Sequence, residues 1–82
     1  MVIATVVDCV WGTKKHPALT GQRLLLVSPQ SRSGPYFVAV DCVGAGTGET
    51  VLVSQGSAAR MAVGEACPVD AAIVGILDEK EG

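Results

Sequence analysis

The sequence is poor in charge and in aromatic residues. Only 17% of its 82 residues are charged, the formal net charge is −2, and 4% are aromatic: Trp11, Tyr36 and Phe37. Proteins that bind single-stranded nucleic acid combine a basic groove with aromatic side chains on which bases stack. The scarcity of both features argues against nucleic acid as a partner.

The sequence also lacks the residue sets of common metal and catalytic sites. Its three cysteines, Cys9, Cys42 and Cys67, form no CxxC pair, and His16 is the only histidine. A structural zinc site needs four ligands in paired spacing, and nucleophilic catalysis needs a serine or cysteine beside a base. We therefore predict no metal, no cofactor and no catalytic centre.

Long apolar runs are missing as well. A typical run, residues 24–27, has four members, whereas a helix needs about 20 apolar residues to span a bilayer. No basic segment followed by an apolar stretch marks a secretory signal at the N-terminus. We expect a cytosolic protein without a membrane segment, in which the cysteines are reduced thiols.

Apolar residues are nevertheless abundant: they make up 49% of the chain, and the mean hydropathy is +0.44. A domain of this size has too small an interior to bury them all. Large apolar patches on a surface usually mark contact sites, and oligomerisation is a common way to stabilise a small core. The composition therefore predicts association with other protein chains.

Strand signals dominate the chain. Segments rich in β-branched residues predict strands at residues 2–11, 23–28, 36–43, 50–54 and 71–77, with a bulge or two-sided burial in the first. Ser57 is placed to cap a single helical turn within residues 56–61. This pattern predicts an all-β fold, a five-stranded, partly open Greek-key barrel of the OB type. Residues 1–78 form its one domain, and residues 79–82 form a polar tail.

A glycine-rich segment precedes the fourth predicted strand. It consists of Gly44, Ala45, Gly46, Thr47, Gly48 and Glu49. The segment lacks the lysine of a phosphate-binding loop, and no helix is predicted behind it. Glycine also allows positive φ angles and close approach of another backbone. We interpret the segment as a point of close approach, such as a symmetry axis, and not as a nucleotide site.

With these segments in place, the chain resembles the EutN/CcmL family, the pentameric vertex proteins of bacterial microcompartment shells, over residues 1 to about 78. The resemblance is carried by residues 1–7, 13–21, 24–27, 39–52, 56–60 and 68–76. Its most specific part is the run AVDCVGAGTGETVL at residues 39–52. The chain departs from the family pattern at Asp8, where the family often has a small residue, typically glycine.

The resemblance implies a structural role. It implies that five OB-like copies form a ring around a five-fold axis and fill the vertices of a polyhedral shell, inside the bacterial cytoplasm, whose facets are hexameric proteins. A ring of this kind pairs two different faces of each subunit, which agrees with the apolar excess. The alternative is an OB-type binding module for a small ligand or for single-stranded nucleic acid.

Three sets of residues carry hypotheses under this resemblance. Residues 44–49 converge near the axis, where Glu49 lines or braces the opening. Arg60 braces the fold by pairing with Asp70, Asp41 or Glu49, within one copy or between copies. The one dense cationic segment is interpreted either as a solvated loop or as a rim that meets the acidic edge of the facet hexamers; it consists of Lys14, Lys15 and His16.

Overall fold

The computed structural model of the chain describes residues 1–12, 15–30, 34–64 and 68–78. Its strands are β1 (Val2–Val10), β2 (Leu24–Pro29), β3 (Phe37–Asp41), β4 (Thr50–Gln55) and β5 (Ala71–Leu77). A 3₁₀ turn covers Pro17–Leu19, and the helix α1 covers Ser57–Val63. The predicted all-β class with one short helix is confirmed. The predicted tail, residues 79–82, lies outside the described residues.

The five strands close into one barrel in the order β1-β2-β3-β5-β4. β4 pairs back onto β1, so that Val2 lies opposite Val53. β3 and β5 are the parallel neighbours, joined at two register positions, and the other pairs are antiparallel. The predicted OB-type barrel is therefore present, but it is closed and not partly open, because the short β3–β5 ladder completes the ring.

The barrel interior is aliphatic. Alternate residues of each strand point to the same face of a sheet, and the inward set here is fully or almost fully buried. It includes Ala4, Val6, Leu25, Val27, Ala39, Val51, Val53 and Ile73. Burying such side chains stabilises a fold by about 1.5–3 kcal/mol each for the larger ones. Outside the barrel, α1 packs on β4 and β5 through the buried Ala59.

The first strand is bent by a bulge, which is one of the two alternatives that its imperfect alternation predicted. Val6 lies opposite Val27 and Asp8 lies opposite Leu26, so Val7 is an extra residue in β1. Such a bulge bends a strand and increases its twist. Asp8, the position that departs from the family pattern, therefore directly follows the bulge and is exposed.

Several local predictions were wrong. The third strand was expected to reach residue 43 but ends at Asp41, because the Asp41 carboxylate turns the following backbone back on itself. Ser57 does not cap the helix: Gly56 is the N-cap residue, with a φ of +63° and no side-chain cap. The helix also has seven residues instead of a single turn, and the 3₁₀ turn lies in a segment predicted as a loop.

The outside of the barrel carries exposed apolar side chains on several elements. Ile3 on β1, Val38 on β3 and Met61 on α1 are among them, and Met61 is 80% exposed. Register pairs each of the two strand residues with a half-buried leucine, Ile3 with Leu52 and Val38 with Leu26. These surfaces lie on different strands, so one subunit presents more than one apolar face, as a heterologous ring contact requires.

Candidate functional site: the glycine-rich loop and the assembly surfaces

The start of the glycine-rich loop is organised by one carboxylate. Oδ1 of Asp41 accepts hydrogen bonds from the backbone N–H groups of Val43, Gly44 and Ala45 at 2.9–3.1 Å, and Oδ2 accepts a further bond from the Ala45 N–H at 3.0 Å. Short polar side chains commonly form such turns with the backbone that follows them. The Asp41 side chain is only 2% exposed, so this turn is held at the end of the barrel core.

Asp41 also has a cationic partner, and it is not the predicted one. Nη1 of Arg23 donates to Oδ2 of Asp41 at 2.7 Å and to the carbonyl oxygen of Ala45 at 2.6 Å. Within the described residues, the Arg60 guanidinium makes no ion pair with Asp41. The intrachain pairing of Arg60 with Asp41 is therefore corrected to Arg23 with Asp41.

Arg23 was missed at the sequence level, although a signal for it existed. Leu24 lies opposite Val40, and the Asp41 N–H donates to the Arg23 carbonyl at 2.8 Å. Arg23 and Asp41 therefore flank the last cross-strand pair of β2 and β3. Pairing the two predicted strands in register would have placed the two charges side by side.

The ionisation of Asp41 follows from these contacts. Burial disfavours the charged form, but the N–H groups of Ala45 and Val43, the Arg23 guanidinium and the N–H of Gly44 together outweigh it. The pKa of Asp41 consequently lies below its usual range. The pKa of Arg23 is raised, chiefly by its hydrogen bond to Asp41. The pair is charged at neutral pH.

The second half of the loop is tied to its own carboxylate and to β1. Oε1 of Glu49 accepts a bond from the Gly46 N–H at 2.7 Å, and the Glu49 N–H donates to the Gly46 carbonyl at 3.1 Å. The Gly48 N–H donates to the Val6 carbonyl, and the Val6 N–H donates to the Glu49 carbonyl. Glu49 therefore braces its own loop. Gly44 and Gly48 have φ angles of +84° and +89°, whereas Gly46 does not have a positive φ.

These bonds argue against the interpretation of the loop as a nucleotide site. A phosphate-binding loop directs free backbone N–H groups at its ligand. In residues 43–49 the N–H groups are already bonded to Asp41, Glu49, Val6 and Gly46, except for that of Thr47. The loop is therefore not built to bind an anion, which supports the interpretation as a close-approach segment.

The remaining predicted residues are spread over other surfaces. Arg60 on α1 and Asp70 before β5 are both exposed, and neither forms an ion pair within the described part of the chain. Lys15 and His16 are exposed in the loop after β1, and Lys14 lies outside the described residues. Nδ1 of His16 accepts from the Ala18 N–H at 3.0 Å, so His16 caps the 3₁₀ turn.

The described residues provide no centre for chemistry. Among them, no three His, Cys, Asp or Glu side chains are arranged to hold a metal ion. Cys9 and Cys42 are not joined in a disulfide, and Cys67 lies outside the described residues. A cavity of about 400 Å³ is lined by apolar side chains with Gln55 and Asp70. The negative charge of Asp70 disfavours a phosphate backbone there.

No α-helix within the described ranges has both the length and the apolar character needed to cross a bilayer. The α-helix in the described part of the chain, α1, has seven residues.

The fold and the loop together define a class of protein: a small OB-type barrel with an internally bonded glycine-rich loop, exposed apolar faces and no catalytic constellation in its described residues. The family described as "Ethanolamine utilisation protein EutN/carboxysome" (EutN_CcmL) matches residues 1–78. The chain belongs to this family.

Individual relatives agree with this assignment. The carboxysome shell vertex protein CcmL of Synechocystis sp. is 48% identical, covering 95% of this chain and 83% of that protein. The bacterial microcompartment shell vertex protein GrpN of Rhodospirillum rubrum is 42% identical, covering 99% and 97%. The solved structure of GrpN, a pentameric microcompartment shell protein, superposes with a TM-score of 0.88 over 100% of this chain and 99% of its own.

Proposed function

We propose that this chain is a structural protein that assembles as a homopentamer and occupies the vertices of a bacterial microcompartment shell. The observation that carries the proposal is the full-length match to GrpN, which is a pentameric shell protein. The match includes the whole barrel and the glycine-rich loop, and it covers nearly all of both chains.

The proposed pentamer accounts for the exposed apolar surfaces. A cyclic ring buries one face of each subunit against a different face of the next. Ile3, Val38 and Met61 lie on three different elements and are at least 42% exposed in the single chain. Burial of such side chains between copies removes them from water and contributes to association.

The loop at residues 44–49 is proposed to line the five-fold axis. Apart from that of Thr47, its backbone N–H groups are bonded within the subunit, and its glycines allow close packing of neighbouring loops. Glu49 contributes one carboxylate oxygen to the loop turn, and its exposure leaves it available at the opening. The proposed neighbours of the pentamer in the shell are hexameric facet proteins, which Lys14, Lys15 and His16 would meet at the rim.

Native mass spectrometry of the purified protein tests the proposal. Five copies of 8.4 kDa give a ring of 42 kDa, and this species is expected at micromolar concentration. Co-expression with a hexameric shell protein is then expected to give closed shells in electron micrographs. An 8.4 kDa monomer that persists at high concentration contradicts the proposal and favours the alternative binding module. Salt-dependent binding to a labelled single-stranded oligonucleotide would identify that alternative.

A further inference from the structure

Helix α1 presents an apolar stripe to solvent. Ala59 faces the barrel and is fully buried, whereas Ala58, Met61 and Ala62 are exposed. Positions i, i+3 and i+4 lie on one face of a helix, so these three side chains form a continuous strip. Met61 is the large member of the strip, and nothing in the described part of the chain covers it. Met61 is therefore a single large apolar side chain that projects from a face otherwise made of alanines, and it is called the knob below.

A groove of matching apolar character lies outside α1 on the same subunit. It has a volume of about 180 Å³ and an apolar lining with Asp70 as its one charged member. Its walls are formed by the 3₁₀ turn and by the segment before β5, and its floor is formed by the outer side of β2 and β3. The apolar side chains of its lining include Leu19, Leu24, Val38, Val40, Pro68 and Val69.

Two unpaired charges of opposite sign lie beside these features. Arg60 precedes Met61 and is exposed, and its guanidinium forms no hydrogen bond or ion pair within the described residues. Asp70 borders the groove, and its carboxylate is likewise without an ion pair there, although its carbonyl accepts the Gly56 N–H. Arginine and carboxylate groups form geometrically specific pairs when they meet.

We propose that Met61 of one copy occupies the groove of the next copy, and that Arg60 of the first copy pairs with Asp70 of the second. The inference rests on the proposed pentamer and names its contact surfaces. Each subunit then donates one helix and accepts one helix, which is the heterologous arrangement that closes into a ring. The knob, the groove and the two charges are complementary in shape, polarity and sign.

The occupant of the groove is argued to be a second copy because both halves of the contact are present on this chain. The cavity of about 400 Å³ described above is a poorer receptor for Met61, because its lining includes the polar amide of Gln55. Buried thioether side chains adapt readily to irregular apolar gaps. A charge pair at the edge of such a contact adds specificity for the correct partner face.

A charge-swap experiment tests the pairing. Native mass spectrometry and sedimentation equilibrium compare the wild type with Arg60→Asp, Asp70→Arg and the double variant that carries both changes. Each single variant is expected to raise the ring dissociation constant about tenfold or more, because like charges then face each other. The double variant is expected to return to within about threefold of the wild type, since the pair is restored with reversed polarity.

The apolar contact is tested separately with Met61→Ser. Its matched control is Trp11→Ser, which removes a large apolar side chain that is 89% exposed and belongs to neither surface. Met61→Ser is expected to weaken the ring and Trp11→Ser to leave it unchanged. All the altered side chains are exposed, so far-UV circular dichroism should show the same fold in each variant.

The outcomes separate this inference from the proposed function. A wild-type ring with no effect of Met61→Ser, or with no recovery in the double variant, overturns the pairing and leaves the pentamer standing. A wild-type protein that is monomeric overturns both.

Discussion

Nη1 of Arg23 lies 2.7 Å from Oδ2 of Asp41 and 2.6 Å from the carbonyl oxygen of Ala45. One guanidinium nitrogen thus links the residue before β2 to the carboxylate at the end of β3. The same nitrogen also bonds the loop that follows β3. Because Asp41 is almost completely buried and Arg23 is half exposed, the carboxylate is the member of the pair on which the loop depends.

Replacing Asp41 with asparagine is therefore expected to destabilise the fold. The asparagine amide would direct N–H donors at backbone N–H donors, and buried groups left without a partner cost about 1–3 kcal/mol. Urea denaturation would measure the free energy of unfolding. Asp78→Asn is the matched control, because Asp78 is exposed and has no ion pair within the described residues; surface changes of this kind stay within about 0.5 kcal/mol. Equal effects at the two positions would contradict the role of Asp41.

The low pKa of Asp41 predicts a specific pH dependence. A carboxyl group with a pKa lower in the folded than in the unfolded protein contributes stability that is fully present above its unfolded pKa, at about pH 4, and is lost as the pH falls through the folded value. The free energy of unfolding, measured by urea titration at a series of acidic pH values, should fall more steeply in the wild type than in Asp41→Asn. Parallel curves would exclude Asp41 as the source.

The variant Gly46→Leu distinguishes an effect on the fold of the subunit from an effect on the assembly of the ring. Within one subunit, a Cβ atom at Gly46 meets only Glu49 Oε1 at an ordinary 3.6 Å, and the backbone has no positive φ. The isolated fold should therefore accept leucine, whereas five bulky side chains near a common axis should weaken or distort the pentamer. Native mass spectrometry would measure whether the pentamer forms, and circular dichroism would measure whether the subunit keeps its secondary structure.

Gly44→Leu is the control for that variant. Gly44 has a φ of +84°, and a left-handed backbone costs an L-residue about 1–2 kcal/mol. The loss of stability should appear in the single subunit, before any effect on assembly. A normal pentamer from Gly46→Leu would argue against the axial position of the loop.

Charge reversal in the loop after β1 tests the proposed contact with facet proteins. In the variant with both Lys14→Glu and Lys15→Glu, the pentamer should persist, because these two residues are assigned to the rim and not to the ring contact. Closure of shells co-expressed with a hexameric protein should fail, as seen by electron microscopy. Normal shells from the double variant would remove this loop from the contact.

Much of the fold was predictable because it depends on local chemistry. β-branched runs predicted the positions of all five strands, and residues 71–77 were predicted with the bounds that β5 has. The imperfect alternation in β1 predicted either a bulge or burial on both faces, and the structure has the bulge. The wrong bounds of β3 and the wrong cap at α1 have different causes. A local turn held by the Asp41 carboxylate ends β3, whereas the Gly56 N–H at the start of α1 bonds to the distant Asp70 carbonyl.

The candidate site was less accessible from the sequence. The glycine-rich loop stood out by composition, and its interpretation as something other than a nucleotide site agrees with its bonded N–H groups. The partner of Asp41 did not stand out, because Arg23 is 18 residues away in the chain and becomes a neighbour only when β2 pairs with β3. Without that register, Arg60 was predicted to pair with Asp70, Asp41 or Glu49, and Arg23 was not considered.

The sequence by itself determined the class of fold, the family and the excess of apolar surface, since all three follow from residue type, spacing and order. Tertiary structure alone decided that the barrel is closed, which carboxylate holds the glycine-rich loop, and which charges remain unpaired on the surface. The physical reason is that these features depend on the registers between strands, and a register is set by the packing of the whole barrel and not by any one segment of the chain.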